Sequence, residues 1–201
     1  MLVREVMTSP AVTVTGGTPL KEAIRLLDEH QITAMPVIDH AGRLVGVVSE
    51  ADVLRDTVPA DRRAHERLVA ISGPTVCLAV TDVMTHLPIS VSPDVDVAEA
   101  VDVLVNTQVK SLPVVHQGRV VGIVSRRDVI AVLARNDVLI EAEIDDELRG
   151  AGVECTVDVS DGVVRLSDAA SPEAARIATV IASRVPGVVG VSCDAAAQSR
   201  V

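Results

Sequence analysis

The chain carries the stretch GRLVGVVS at residues 42–49, and a close copy, GRVVGIVS, stands at residues 118–125. Two shorter blocks recur in the same order at an offset of 77 residues: VMT at 6–8 and 83–85, and MPV at 35–37 with LPV at 112–114. Blocks that repeat in one order at a nearly constant distance indicate a duplicated module. The sequence therefore predicts two copies of one fold unit in tandem.

Around these blocks, each copy has the pattern of a helix, a hairpin and a second helix. Apolar residues recur with helical spacing over residues 20–27 and again over 97–104. Two β-rich runs, 35–39 and 43–48, are separated by a turn that contains a glycine, which is typical of a β-hairpin. A second helix is expected to begin near residue 49. The predicted fold class is therefore mixed, α+β or α/β.

The last third of the chain has a different pattern. Apolar and polar residues alternate over 153–160, as in a strand with one buried face. A helix is expected after Ser171, with Ile177, Ile181 and Val185 on its inward face. Together with a preceding helix, a hairpin and a final strand, these segments predict a small αββαβ domain.

We expect five segments along the chain. They are the first copy at 1–58, a connecting segment at 59–79, the second copy at 80–135, the αββαβ domain at 136–194 and a flexible tail at 195–201. The connecting segment has a stretch compatible with a helix over 61–71, followed by the helix-breaking residues SGP.

Composition excludes several kinds of partner. The 201 residues include no Phe, Tyr or Trp, and the net charge is −10. Aromatic platforms for stacking single-stranded nucleic acid are therefore missing, and the negative charge opposes binding to a phosphate backbone. We expect no nucleic-acid partner, and a base bound here would have to lie between aliphatic side chains.

The sequence also predicts a compartment. No run of 18 apolar residues occurs, so no transmembrane span is expected. The first residues include Arg4 and Glu5 and lack the apolar stretch of a signal peptide, which favours the cytoplasm. Cys77, Cys155 and Cys193 are far apart, a spacing that favours buried thiols over a disulfide framework or a zinc site.

No segment matches a catalytic motif. The chain has no metal-binding histidine pair, no P-loop and no nucleophile in a known local pattern. His40 and His116 occupy equivalent hairpin turns and are expected to be solvated. We therefore expect no enzymatic activity, no catalytic residue and no metal site.

These repeated blocks resemble a CBS-domain pair, also called a Bateman module, over residues 1–135. The matching features are VMT, a helix, a hydrophobic-Pro-Val strand and the pattern G-hydrophobic-V-S-x-x-D, each present twice. The resemblance implies two repeats related by a pseudo-twofold axis, clefts that hold adenosine compounds, and a homodimer formed through the pair. The implied ligand is AMP, ADP or ATP, with S-adenosylmethionine and NAD ranked behind them.

Residues 136–200 resemble a BON domain through GVVRL at 162–166 and GVVGV at 187–191. BON domains are described as membrane- or partner-binding modules of exported proteins. Here Ser167 stands where a glycine usually follows the first of these blocks, and residues 136–201 carry 12 acidic and five basic side chains, a net charge of −7. An anionic membrane would repel this segment, so we expect a protein partner instead.

The resemblance to CBS pairs also assigns ligand-binding roles. The repeated S-x-x-D tetrapeptides would bind ribose and phosphate through Ser49, Asp52, Ser125 and Asp128. The positions implied to contact adenine are Val12, Ile32, Ile89 and Val109, and those implied to approach phosphate are Thr33, Lys110 and Arg126 or Arg127.

Each of these positions has a second interpretation. S-x-x-D is also the pattern of a helix capping box, while a helix N-terminus with unpaired N–H groups favours phosphate, and the two roles can coexist. For the aliphatic residues the alternative is packing in the core. For Lys110 it is an ordinary solvated lysine.

Two functions are consistent with this sequence. The first is a regulatory protein that senses an adenine nucleotide in the cleft between its repeats, the ligand acting through unequal affinity for two arrangements. The alternative is a CBS dimer scaffold without ligand that presents the BON-like domain to a protein partner or a membrane.

Overall fold

The computed structural model describes residues 1–57 and 78–193. The chain divides into two compact units: Met7–Ser125, and a second unit that joins Met1–Val6 to the chain from Arg126 onward. The stretch compatible with a helix over 61–71, Cys77 and the predicted tail at 195–201 lie outside the described residues.

The first repeat builds a four-stranded sheet in the order β1-β2-β3-β4. Strand β1 (Val14–Thr15) runs parallel to β2 (Ala34–Ile38), and β2 pairs with the antiparallel strand β3 (Leu44–Ser49). Strand β4 (Thr85–His86) lies antiparallel along the other side of β3. The predicted hairpin is therefore confirmed as the β2–β3 pair.

Asp39 holds the turn of this hairpin. Its Oδ1 accepts hydrogen bonds from the amides of Ala41 (2.8 Å) and Arg43 (2.9 Å), and its Oδ2 accepts from Arg43 Nε (2.7 Å). The hydrogen bonds from the Arg43 backbone and guanidinium lower the pKa of the Asp39 carboxyl. Gly42 has a φ of 77°, a conformation that glycine adopts without steric cost.

Helices of the first repeat cover one face of the sheet. Helix α2 (Leu20–Glu29) buries Leu20, Ala23 and Leu27 on the predicted apolar face, and α3 (Glu50–Thr57) follows β3 directly. The buried side chains of α2 join those of β2 and β3 in one core. Burial of this apolar face, at about 25 cal/mol per Å², is what stabilises a helix of this length.

The second repeat has the same parts. A short helix α4 (Val80–Val83) precedes β4, and α5 (Val97–Asn106) corresponds to α2. Strands β5 (Ser111–His116) and β6 (Arg119–Ser125) form the second antiparallel hairpin. Val91 bridges in parallel to Val114 of β5, as β1 does to β2 in the first sheet.

The repeats exchange their VMT segments. Thr85, which belongs to the second copy, pairs with Val47 in the sheet of the first copy. Reciprocally, Thr8 of the first copy bridges Ile123 in β6, with N···O distances of 2.9 and 3.1 Å. Each copy therefore completes the sheet of the other, which ties the two sheets into one unit.

This exchange brings backbone against a glycine in each sheet. A Cβ atom placed on Gly46 would lie 2.7 Å from Met84 Sδ and 3.0 Å from the carbonyl oxygen of Thr85. One placed on Gly122 would lie 2.8 Å from Met7 Sδ. Since these distances are shorter than van der Waals contact, the close approach requires glycine at both positions.

The second unit contains the predicted αββαβ arrangement. Its elements in chain order are α1 (Val3–Val6), α6 (Arg126–Leu133), α7 (Asp137–Gly150), β7 (Thr156–Ser160), β8 (Val163–Ser167), α8 (Pro172–Arg184) and β9 (Gly190–Cys193). Strand β8 is antiparallel to β7 and parallel to β9. No helix in the described residues is both long and apolar enough to cross a membrane.

The inward face of α8 differs from the prediction. Ile177 is 43% exposed, whereas Ala178 and Ala182 are fully buried; Ile181 is partly buried and Val185 is buried. Small alanine side chains let a helix lie close to the layer beneath it, so the bulky Ile177 turns toward solvent. The spacing of the isoleucines therefore predicted the inward face of this helix only in part.

Hydrogen bonds join the start of α7 to the β7–β8 turn. Asp137, at the start of α7, accepts hydrogen bonds from the amides of Asp161 (2.8 Å) and Gly162 (2.9 Å) in the β7–β8 turn.

Cys155 and Cys193 are free, half-buried thiols packed against the core. Burial raises the pKa of the Cys155 thiol, and the nearby Cys193 raises it further, so this thiol stays protonated and unreactive at neutral pH.

Candidate functional site

A cleft of about 330 Å³ lies between the two repeats within Met7–Ser125. Its walls come from the start of β2, the β3–α3 junction, the segment after β4 and the segment that leads into β5. The lining residues are Thr33, Ala34, Val47, Ser49, Glu50, Ala51, Asp52, Thr85, Leu87, Pro88, Ile89, Gln108, Val109, Lys110, Ser111, Leu112 and Pro113. This volume falls within the range of small-molecule sites, about 300–1,000 Å³.

Asp52 is the most buried charged group of the cleft, with 8% of its surface exposed. Its Oδ2 accepts hydrogen bonds from the Ser49 amide (2.9 Å) and the Ser49 hydroxyl (2.6 Å). In return, the Asp52 amide points at Ser49 Oγ at 3.4 Å. This reciprocal pattern is a capping box that begins helix α3, so the capping interpretation of this tetrapeptide holds in the structure.

A cation and an anion from different repeats meet across the cleft. Lys110 Nζ lies 3.3 Å from Glu50 Oε2, and their side chains are 64% and 44% exposed. Lys110 therefore lies at the cleft, as a phosphate-binding role would require, but it is paired with a carboxylate. With Asp52 included, the charged lining residues Glu50, Asp52 and Lys110 give the cleft a net charge of −1.

Aliphatic side chains supply the remaining walls. Ile89 is 48% exposed and Val109 is half-buried, and both line the cleft. Leu87 and Gln108 have positive φ angles of 51° and 58°, a backbone conformation that costs a non-glycine residue about 1–2 kcal/mol. The turn at Leu87 comes just before Ile89, and the turn at Gln108 comes just before Val109.

The structure brings together part of the predicted set. Thr33, Ser49, Asp52, Ile89, Val109 and Lys110 all line this one cleft. The cleft thus combines the S-x-x-D carboxylate of the first repeat with the aliphatic and basic residues of the second.

The other predicted residues lie elsewhere. Val12 and Ile32 are partly buried against the first core, which fits their core-packing interpretation. Ser125 ends β6 opposite Ser111, and Arg127 and Asp128 lie in the first turn of α6, in the other unit. These five residues are therefore not part of the cleft that contains Asp52.

Sequence reasoning missed several polar residues of the cleft: Glu50, Thr85, Gln108 and Ser111. The buried one among them is Ser111. It is 9% exposed, and among the described residues it is the buried side chain whose oxygen lacks a hydrogen-bond partner. Its position at the start of β5 gave no motif to find. The only sequence signal was the difference between the copies, since the equivalent position in the first repeat is Ala34.

The described residues hold no group of three or more His, Cys, Asp or Glu side chains arranged to bind a metal ion. The polar groups of the cleft are instead suited to hydrogen bonding. A carboxylate, a serine hydroxyl and a lysine ammonium are grouped with aliphatic surface, which is the usual composition of a site for a small polar molecule with an apolar part.

Comparison with known proteins agrees with this geometry. The family model of the CBS domain matches residues 3–58 and 80–135. An uncharacterised protein of Methanocaldococcus jannaschii is 29% identical over 149 residues, which cover 64% of this chain and 88% of that protein. The CBS domain-containing protein YhcV of Bacillus subtilis is 29% identical over 126 residues, which cover 63% and 81%.

Solved structures share the fold. The crystal structure of CBSX2 in complex with AMP, a protein from Arabidopsis thaliana, has 29% sequence identity and a TM-score of 0.52, covering 65% of this chain and 93% of that one. The CBS domain pair of protein MJ0100 has 24% identity and a TM-score of 0.53, covering 66% and 94%. Because the family model matches more than half of its residues, the chain belongs to the CBS-domain family and carries two CBS domains in tandem.

Proposed function

We propose that this protein is a regulatory binding protein that holds an adenosine compound in the cleft between its two CBS domains. The observation that carries the proposal is the convergence of Thr33, Ser49 and Asp52 from the first repeat with Ile89, Val109 and Lys110 from the second. The related CBSX2 structure contains AMP, which supports the same ligand class here.

Each part of the cleft suits one part of such a ligand. The aliphatic side chains of Ile89 and Val109 can pack on the two faces of a purine. The chain has no aromatic side chain that could stack on the purine instead. The second oxygen of the Asp52 carboxylate, Oδ1, takes no part in the capping box and lies 4.0 Å from Arg55 Nη1. That oxygen can accept a hydrogen bond from a ribose hydroxyl, so Asp52 can cap α3 and bind ligand together.

The charges of the cleft rank the candidate ligands. AMP has one phosphate group, and Lys110 can exchange its contact with Glu50 for a contact with that phosphate. The additional phosphates of ATP meet Glu50 and Asp52, and the described lining residues include no second lysine or arginine. Arg55 lies 4.0 Å from Asp52 Oδ1 but is not a lining residue. Like charges at short range repel. We therefore propose AMP ahead of ADP and ATP at this cleft.

The first prediction is that AMP binds to the full chain with a Kd below about 1 mM. ATP should bind with a higher Kd than AMP. Isothermal titration calorimetry measures both affinities. A parallel check uses ultraviolet absorbance: because the chain has no Tyr or Trp, absorbance near 260 nm reports bound purine against a weak protein background. If AMP, ADP, ATP, S-adenosylmethionine and NAD all bind more weakly than 1 mM, the proposal is wrong.

Glu50→Gln is the matched variant for the charge argument. It removes one negative charge and leaves the shape of the cleft intact, so the affinity for ATP should rise more than that for AMP. The effect of an exposed charge is about 0.2–1 kcal/mol, or up to about fivefold, and should shrink as salt is added. Glu99→Gln on α5, outside the cleft lining, should leave both affinities unchanged.

A second candidate function concerns the αββαβ unit as a docking module. Its neighbouring helices α6 and α7 expose Ile130, Leu133, Val138 and Leu139, each more than half exposed. Several exposed apolar side chains on consecutive helices favour contact with another protein. The BON-like assignment, the homodimer and a role of Asp128 in a second ligand site remain predictions alongside this one.

A further inference from the structure

Ser111 stands at the start of β5, and its side chain is almost fully buried. The residue is 9% exposed, its hydroxyl oxygen is buried, and no group among the described residues forms a hydrogen bond with that oxygen. Buried hydroxyls in folded proteins almost always have a partner, because an unpaired one lowers stability. The described part of the chain therefore leaves the Ser111 hydroxyl without a partner.

The strand itself does not require this hydroxyl. Ala34 occupies the same position of β2 in the first repeat, is 6% exposed, and lines the same cleft. Both residues pair with the serine that ends their hairpin, Ala34 with Ser49 and Ser111 with Ser125. An alanine therefore satisfies the same strand position, and the hydroxyl in the second repeat is an addition to it.

We infer that the Ser111 hydroxyl hydrogen-bonds to the adenosine compound held in the cleft and helps to determine which compound binds there. Ser111 is one of the lining residues, and rotation about its single Cα–Cβ bond turns the hydroxyl between staggered positions. A ligand in the cleft then supplies the hydrogen-bond partner that the described residues do not offer. The inference rests on the proposed function and adds to it a specific polar contact from the second repeat.

The experiment is Ser111→Ala in the full chain, with AMP as the probe. Loss of one hydrogen bond between uncharged groups should weaken AMP binding by about three- to tenfold in calorimetry. The melting temperature without ligand should stay the same or rise by about 2–4 °C, because an unpaired buried hydroxyl has been removed. Ser183→Ala on α8, outside the cleft, also replaces a serine by alanine and should leave the AMP affinity unchanged.

Ser111→Cys distinguishes hydrogen bonding from packing. A thiol fills nearly the same space but is a weak hydrogen-bond donor, so this variant should lose affinity as the alanine variant does. The inference is wrong if AMP affinity is unchanged in Ser111→Ala, if the cysteine variant binds like the original protein, or if Ser111→Ala lowers the melting temperature. If the unmodified protein does not bind AMP at all, the proposed function fails instead, and that outcome is seen before any variant is made.

Discussion

Replacing Asp52 by alanine should weaken AMP binding at least tenfold and also lower the stability of the protein. In the ligand complex the carboxylate is expected to accept hydrogen bonds from the ribose, and a hydrogen bond to a charged group contributes about 1.5–3 kcal/mol. In the free protein the same carboxylate accepts from the Ser49 amide and hydroxyl. Loss of that capping box should cost about 0.5–2 kcal/mol of folding free energy.

Ser49→Ala separates the two roles of Asp52. It removes the hydroxyl that bonds to Asp52 Oδ2 at 2.6 Å but keeps the carboxylate and the Ser49 amide. We expect a similar loss of stability with a smaller loss of AMP affinity, because the Ser49 hydroxyl can offer the ribose one hydrogen bond between uncharged groups whereas the Asp52 carboxylate is charged. Calorimetry and thermal unfolding of both variants provide the comparison. If Asp52→Ala lowers the melting temperature while AMP affinity is unchanged, Asp52 only caps the helix.

Gly46→Ala should destabilise the paired repeats by about 1–3 kcal/mol, the usual cost of adding a methyl group to a tightly packed site. The new Cβ would lie 3.0 Å from the carbonyl oxygen of Thr85, which is backbone and cannot turn aside as Met84 Sδ can. The crowding falls on the exchanged strand β4, so the contact between the copies is the part that weakens. Urea unfolding followed by circular dichroism measures the effect.

Gly17→Ala is the matched control for this substitution. No atom lies within 4 Å of a Cβ at Gly17, apart from its chain neighbours, so this change should be neutral or slightly stabilising, by less than about 1 kcal/mol. Gly122→Ala should reproduce the Gly46 result, since a Cβ there meets Met7 and Thr8 in the same way. Equal stability of the Gly46 and Gly17 variants would show that strand exchange does not constrain these positions.

Much of the fold is predictable because its causes are local. The helical spacing of apolar residues that gives α2 and α5, and the glycine-containing turn that gives the β2–β3 hairpin, each depend on a few neighbouring residues. The exchange of the VMT segments does not, because Thr8 meets a partner 115 residues away, at Ile123. The repeat shows that VMT belongs to the module. It does not show which of the two sheets the VMT segment joins.

The candidate site was predictable only in part. The resemblance to CBS pairs assigned roles to Asp52 and Lys110, and the structure places both at one cleft. It also assigned a role to Asp128, the counterpart of Asp52 in the second copy, which lies outside that cleft. The partner of Lys110 did not follow, because the 3.3 Å contact between Lys110 and Glu50 joins residues of different repeats. Ser111 was missed because it belongs to no motif and its counterpart in the first copy is an alanine.

Crystals of the full chain grown with saturating AMP test the central claim most directly. We expect electron density for the purine between Ile89 and Val109, with a ribose hydroxyl within about 3 Å of an Asp52 oxygen. Lys110 should have moved from Glu50 to the phosphate. Density for AMP outside this cleft, or a cleft that contains only solvent while calorimetry shows AMP bound in solution, would contradict the assignment of the site.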